Sequence, residues 1–95
     1  RDNISNGIGT TGGVAAPNSL LTAFRSTFSG NRSTGALTGG SAIEAATVTL
    51  ENVTVDRNDG GEAAVRSSAG VSPGSVNLRY VTITRNSSTF GIGAG

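Results

Sequence analysis

At 95 residues, with 35% hydrophobic side chains and four aromatics (Phe24, Phe28, Phe90 and Tyr80), the chain suits one small domain with a thin conventional core. Seven Arg against six Asp and Glu leave a net charge of +1, so there is no electrostatic footprint for nucleic acid or an anionic membrane. The lack of Cys excludes disulfides, thiol nucleophiles and thiolate metal sites, and no run of about 18 apolar residues signals a membrane span.

In chain order, Asn3 is followed by Gly7-Ile8-Gly9, the first of several places where a β-branched residue stands between mostly small neighbours. A loop at 14–19 containing Pro17 then leads to the first full unit, LTAFRSTFSGN at 21–31. A glycine-bearing stretch at 35–40 precedes Ala42-Ile43-Glu44, and the second unit, VTLENVTVDRN at 48–58, follows with Ala45-Ala46 nearly deleting the loop. After Gly60-Gly61 come Ala64-Val65-Arg66, a second Pro-containing loop at 71–75 with Pro73, and the third unit, VNLRYVTITRN at 76–86. Gly91-Ile92-Gly93 closes the series. The three units align without a gap, and the intervals Asn3 to Asn31, Asn31 to Asn58 and Asn58 to Asn86 are 28, 27 and 28 residues. Periodicity on this scale marks a solenoid, whose repeats bury apolar faces only against one another.

Counting back from each asparagine gives four apolar columns. They are Leu21, Val48 and Val76; Ala23, Leu50 and Leu78; Ser26, Val53 and Val81; and Phe28, Val55 and Ile83. Spacing is two within the first pair of columns and within the second, the strand period, but three between the pairs. A flat strand would turn the second pair to the opposite face, whereas an outward corner at Arg25, Asn52 and Tyr80 absorbs the slip. Each coil then turns around a shared interior. The coils run over about 3–30, 31–57 and 58–85, with a partial coil at 86–95, in one segment spanning 1–95.

Asn3, Asn31, Asn58 and Asn86 are expected to form a structural ladder. An asparagine tolerates the left-handed backbone that closes a sharp turn, and its carboxamide both donates and accepts from coil to coil. Sequons occur at Asn3, Asn31, Asn52 and Asn86, mostly as a by-product of the repeat; three fall on the ladder, where a glycan does not fit, and only Asn52, at the outward corner, suits an acceptor if the source glycosylates at all.

The unit GGSAIEAATVTLENVTVDRN at 39–58, with STFSGN at 26–31, resembles the right-handed parallel β-helix repeats of bacterial surface and secreted proteins. The nearest groups are polymorphic outer-membrane protein repeats, autotransporter passengers and pectate-lyase-like helices. Residues 28–31 match F-x-x-N, residues 55–58 and 83–86 replace its Phe with Val and Ile, and residues 39–43 carry a Ser insertion in GG-A-I. The resemblance implies an all-β fold, a right-handed single-stranded parallel β-helix. It implies little about activity, because such helices carry adhesins, lyases, tailspikes and fibres alike.

Catalysis by paired carboxylates finds no support, since the six acids are scattered. Asp56, Asp59 and Glu62 near Arg57 read as charge compensation on a solvated face, with Asp56 and Asp59 also relieving the stacked Arg57 and Arg85. Glu51 and Arg79 fall in one column and predict a weak cross-coil ion pair. Calcium-binding G-G-x-G-x-D repeats are absent, and the glycine pairs lack a Walker lysine, so no metal or phosphate cofactor is expected. Two outward columns, Thr22, Thr49 and Asn77 and then Thr27, Thr54 and Thr82, form a possible binding face for ice or carbohydrate hydroxyls, though threonine is also simply a good exposed strand residue.

The expectation is therefore a non-catalytic structural segment of an extracellular or cell-surface protein: a stalk, adhesin passenger or filament subunit. The alternatives are a carbohydrate-binding or polysaccharide-degrading β-helix and, third, an ice binder. The pattern is cut within a coil at both ends, no capping helix is evident and the chain lacks an initiator Met. Its expected partners are further coils of a parent chain, or other copies stacked end to end.

Overall fold

In the computed structural model, which describes residues 1–5, 11–34, 40–67, 74–88 and 90–94, every element is a β-strand. In chain order these are β1 (Ile4–Ser5), β2 (Val14–Phe24), β3 (Thr27–Ser29), β4 (Arg32–Ser33), β5 (Gly40–Asp56), β6 (Asp59–Gly60), β7 (Ala63–Ser67), β8 (Ser75–Thr84) and β9 (Phe90–Ala94). The protein is all-β, and every pairing between these strands is parallel. A three-stranded sheet runs β1-β4-β6, and a six-stranded sheet runs β2-β5-β7-β9 with β3 and β8 also on β5.

Register follows the sequence period. Leu21 lies opposite Val48 and Val48 opposite Val76, while Phe28, Val55 and Ile83 form a second line. Like residues meet because the interval between repeats equals the interval between paired strands, so each Val or Ile packs on its counterpart across a pleated surface. The long β5 holds the centre, with β2 and β3 on one edge and β7 and β8 on the other.

The fully buried core comes from β5 and β7: Ala42, Ile43, Ala45, Val48, Leu50, Val53, Val55, Ala64 and Val65. Leu21, Ala23, Phe28, Val76, Val81 and Ile83 pack on it half-buried. Leu78, expected inward in the same column as Leu50, is 40% exposed. A side chain in this arrangement is covered by the strands on both sides of its own, and among the described residues β8 has a neighbour on one edge only.

Two turns in each repeat use left-handed backbone. The predicted corner residues Arg25, Asn52 and Tyr80 have φ of 46, 54 and 53°. The second turn corrects the sequence reading: the left-handed residue precedes the asparagine rather than being it. Asp2, Gly30, Arg57 and Arg85 have φ of 57, 67, 52 and 51°, and no ladder asparagine has positive φ. The reversal is thus completed one residue early, which leaves each asparagine free to aim its carboxamide along the stacking direction.

A further correction concerns the stretch before the first unit. Residues 14–19, read as loop, lie within β2: Val14 pairs with Ile43 and Ala15 with Glu44, and a register shift then separates Ala16 from Leu20. Parallel pairing of the backbone overrides the Pro17 signal there, and the irregularity absorbs the extra residues. Ile43, Val65 and Ile92 line up as the third-strand pattern implies. The predicted Gly7-Ile8-Gly9 strand, most of the 35–40 glycine stretch and residues 71–73 of the second Pro loop lie outside the described residues.

Candidate functional site

The four asparagines are brought into one directional row. Asn3 donates its backbone N–H and its Nδ2–H to Asn31 Oδ1, at 3.2 and 2.9 Å. Asn31 repeats both bonds to Asn58 Oδ1, at 3.0 and 2.9 Å, and Asn58 repeats them to Asn86 Oδ1, both at 2.9 Å. Asn58 Nδ2 also faces the carbonyls of Phe28 and Asp56 at 3.0 and 3.1 Å, and Asn86 Nδ2 donates to the Val55 carbonyl at 2.9 Å. Asn31 and Asn58 are buried, and the carboxamide oxygen of each accepts the backbone N–H of the preceding ladder asparagine. Backbone bonds run alongside, from Arg32 N–H to Asn3 O, Asp59 N–H to Asn31 O and Ser87 N–H to Asn58 O.

The threonine columns are also in register. Thr22 lies opposite Thr49 and Thr49 opposite Asn77, on the arm before the corner. Thr27, Thr54 and Thr82 align on the arm after it. In each column the middle threonine is half-buried and the outer residues are exposed. The corner divides the two columns, so they lie on separate arms. Around it stand Phe24 and Tyr80, both strongly exposed, with the Arg79 guanidinium 5.2 Å from the centre of the Tyr80 ring.

Charged side chains pair from repeat to repeat. Glu51 and Arg79, in one column, approach to 4.0 Å at an exposed position. Asp56 accepts from Arg85 through both oxygens, Nε to Oδ1 at 2.8 Å and Nη2 to Oδ2 at 2.7 Å, with Arg57 Nε at 3.4 Å. Asp56 is 8% exposed, so the expectation of a fully solvated compensation does not hold for it. It alone relieves both Arg57 and Arg85. Asp59, predicted to share that task, instead pairs with Arg32 at 3.0 Å because Arg32 lies directly opposite it in register.

The sequence reading missed one cluster. Glu44, 7% exposed, receives Arg66 Nη1 at 2.6 Å and the Thr11 hydroxyl at 2.7 Å, while Arg66 Nε reaches Glu62 at 2.9 Å. The signal was present in the aligned Ala42-Ile43-Glu44 and Ala64-Val65-Arg66, which place Glu44 and Arg66 in one column, and in the four-residue spacing of Glu62 and Arg66. Both Glu44 oxygens and both Asp56 oxygens are engaged, and among the described residues no pocket opens beside either. Chemically, these groups fasten one repeat to the next.

Among the described residues, no three acids converge on a point that could hold a metal, and no helix is long and apolar enough to cross a membrane. Comparison of the chain with protein-family models, with curated proteins and with solved structures finds no match.

Proposed function

We propose that the chain is a non-catalytic structural segment of an extracellular or cell-surface protein: a right-handed single-stranded parallel β-helix of about three coils, acting as a stalk, adhesin passenger or self-stacking fibre subunit. The observation carrying this reading is the hydrogen-bonded row of Asn3, Asn31, Asn58 and Asn86 at separations of 28, 27 and 28 residues. A row of this kind has a direction. Among the described residues the Oδ1 of Asn3 accepts no bond and the backbone N–H of Asn86 donates none, so one end offers an acceptor and the other a donor. The half-buried Leu21 and Phe28 on one side, and Val76, Ile83 and the exposed Leu78 on the other, fit more of the same pattern. The partners are accordingly further coils of one parent chain or further copies placed end to end.

Sedimentation velocity combined with electron microscopy tests the reading. Elongated particles that lengthen with concentration, and that no longer do so when Val76 and Ile83 are changed to Arg, are expected. A compact, stable monomer with lyase or hydrolase activity on an acidic polysaccharide would sink it.

A second reading is favoured by the in-register threonines. The aligned Thr22 and Thr49, and Thr27, Thr54 and Thr82, offer hydroxyls at the interstrand spacing of about 4.8 Å, suited to carbohydrate or, less well, to ice. Retention on immobilised glycans that Thr49→Val and Thr54→Val abolish would support the first ligand. Absence of ice-recrystallisation inhibition disposes of the second.

A further inference from the structure

Four sequons occupy this chain, and the structure treats them differently. Asn3, Asn31 and Asn86 each commit their Nδ2 to a partner at 2.9 Å: Asn31 Oδ1, Asn58 Oδ1 and the Val55 carbonyl respectively. Asn31 is buried outright, and Ser33, the hydroxyl residue of its sequon, is buried with it. Asn52 differs from all three in that its carboxamide makes no hydrogen bond with any described residue. Like Asn3 it is exposed, and its left-handed backbone, φ 54°, projects it from the outward corner. Thr54, two residues on, points outward in the Thr27, Thr54 and Thr82 column.

We propose that Asn52 is the one N-glycosylation site of the folded chain. The reaction is a group transfer: Asn52 Nδ2 bonds to the anomeric carbon of a nucleotide- or lipid-diphosphate-linked sugar. The bond from that carbon to the phosphate oxygen breaks with its electron pair, and one amide proton passes to the base of the transferase. The reaction needs an Nδ2 that no other acceptor holds, together with a hydroxyl residue two positions on, and Asn52 supplies both. The flanking corner residues leave room: Arg25 and Tyr80 occupy the equivalent positions on the adjacent repeats, and Tyr80 is 72% exposed. On the ladder the same modification would remove a rung and strand buried backbone groups without partners. The proposal leans on the extracellular reading only for the compartment in which transfer takes place; the accessibility of Asn52 stands or falls separately.

The test uses the folded full chain with a soluble N-glycosyltransferase that accepts Asn-X-Ser/Thr, and UDP-glucose as donor. Cleavage after arginine puts the four sequons on four different peptides, 2–25, 26–32, 33–57 and 86–95. A hexose on peptide 33–57 alone is expected. Thr54→Ser should keep it, and Asn52→Asp, which tolerates the left-handed backbone, should lose it. The chain unfolded in denaturant compatible with the enzyme should gain sugar on several peptides, because unfolding frees the ladder amides. No transfer to the folded chain, or a hexose on any other sequon peptide of the folded chain, overturns the proposal. Transfer confined to 33–57 in the unfolded chain as well overturns it too, since selection would then come from local sequence and not from the fold.

Discussion

Asn31 Nδ2 lies 2.9 Å from Asn58 Oδ1, and that same oxygen also takes the Asn31 backbone N–H at 3.0 Å. One side-chain oxygen on the second repeat therefore closes the turn of the first. Because Asn58 in turn donates twice to Asn86, its removal strands groups on both neighbours.

Asn58→Leu should destabilise the fold by at least about 3 kcal/mol in urea unfolding, since the Asn31 N–H loses its acceptor, Asn86 Oδ1 loses one donor, and each buried unsatisfied group costs about 1–3 kcal/mol. The same change at Asn3, which is exposed and accepts no bond from a described residue, should cost less than half as much. Equal losses at the two positions would remove the directional argument.

Position in the stack, more than residue type, should set the effect of core truncation. Leu50 is fully buried and Leu78, in the same column, is 40% exposed. Leu50→Ala should cost about 2–5 kcal/mol. Leu78→Ala should cost less than half of that, and chemical denaturation of the two variants side by side checks the ratio.

The corner makes a conformational prediction. Asn52 holds φ at 54°, a region that β-branched residues resist by about 1–2 kcal/mol. Asn52→Val should lower stability by that amount, whereas Asn52→Gly should change it by no more than about half a kcal/mol, the freedom of glycine at positive φ offsetting its larger unfolded-state entropy. Thermal melts of both variants distinguish this from a side-chain effect, because each removes the same carboxamide.

Charge pairs should rank by burial. The Glu44 and Arg66 pair, at 2.6 Å with Glu44 7% exposed, should show a coupling of about 1–3 kcal/mol in a double-mutant cycle and change little with salt. Arg32 and Asp59, both about half exposed at 3.0 Å, should show under about 1 kcal/mol and fade in high salt. A stronger coupling at the exposed pair would contradict the ranking.

Much of this was legible in the chain because repetition reports itself. The alignment of Val48 with Val76 and of Thr54 with Thr82, the corner at Arg25, Asn52 and Tyr80, and the Glu51 and Arg79 pair all follow from a repeat interval laid over a strand period of two. The Glu44 and Arg66 pair is less legible, because the third strand is poorly phased. Intervals there differ from the main one: Glu44 and Arg66 are 22 residues apart.

By itself, then, the sequence determined which residues belong to the same column, since equal spacing forces like onto like in parallel pairing. Tertiary structure decided the rest. It set Val14 opposite Ile43, because loops of unequal length leave that register open to whichever backbone pairing is satisfied. It gave the left-handed turn to Gly30, Arg57 and Arg85 in place of the asparagines, whose carboxamides are committed to the neighbouring repeat. And it buried Leu50 while leaving Leu78 open, because burial depends on having a neighbour on both sides.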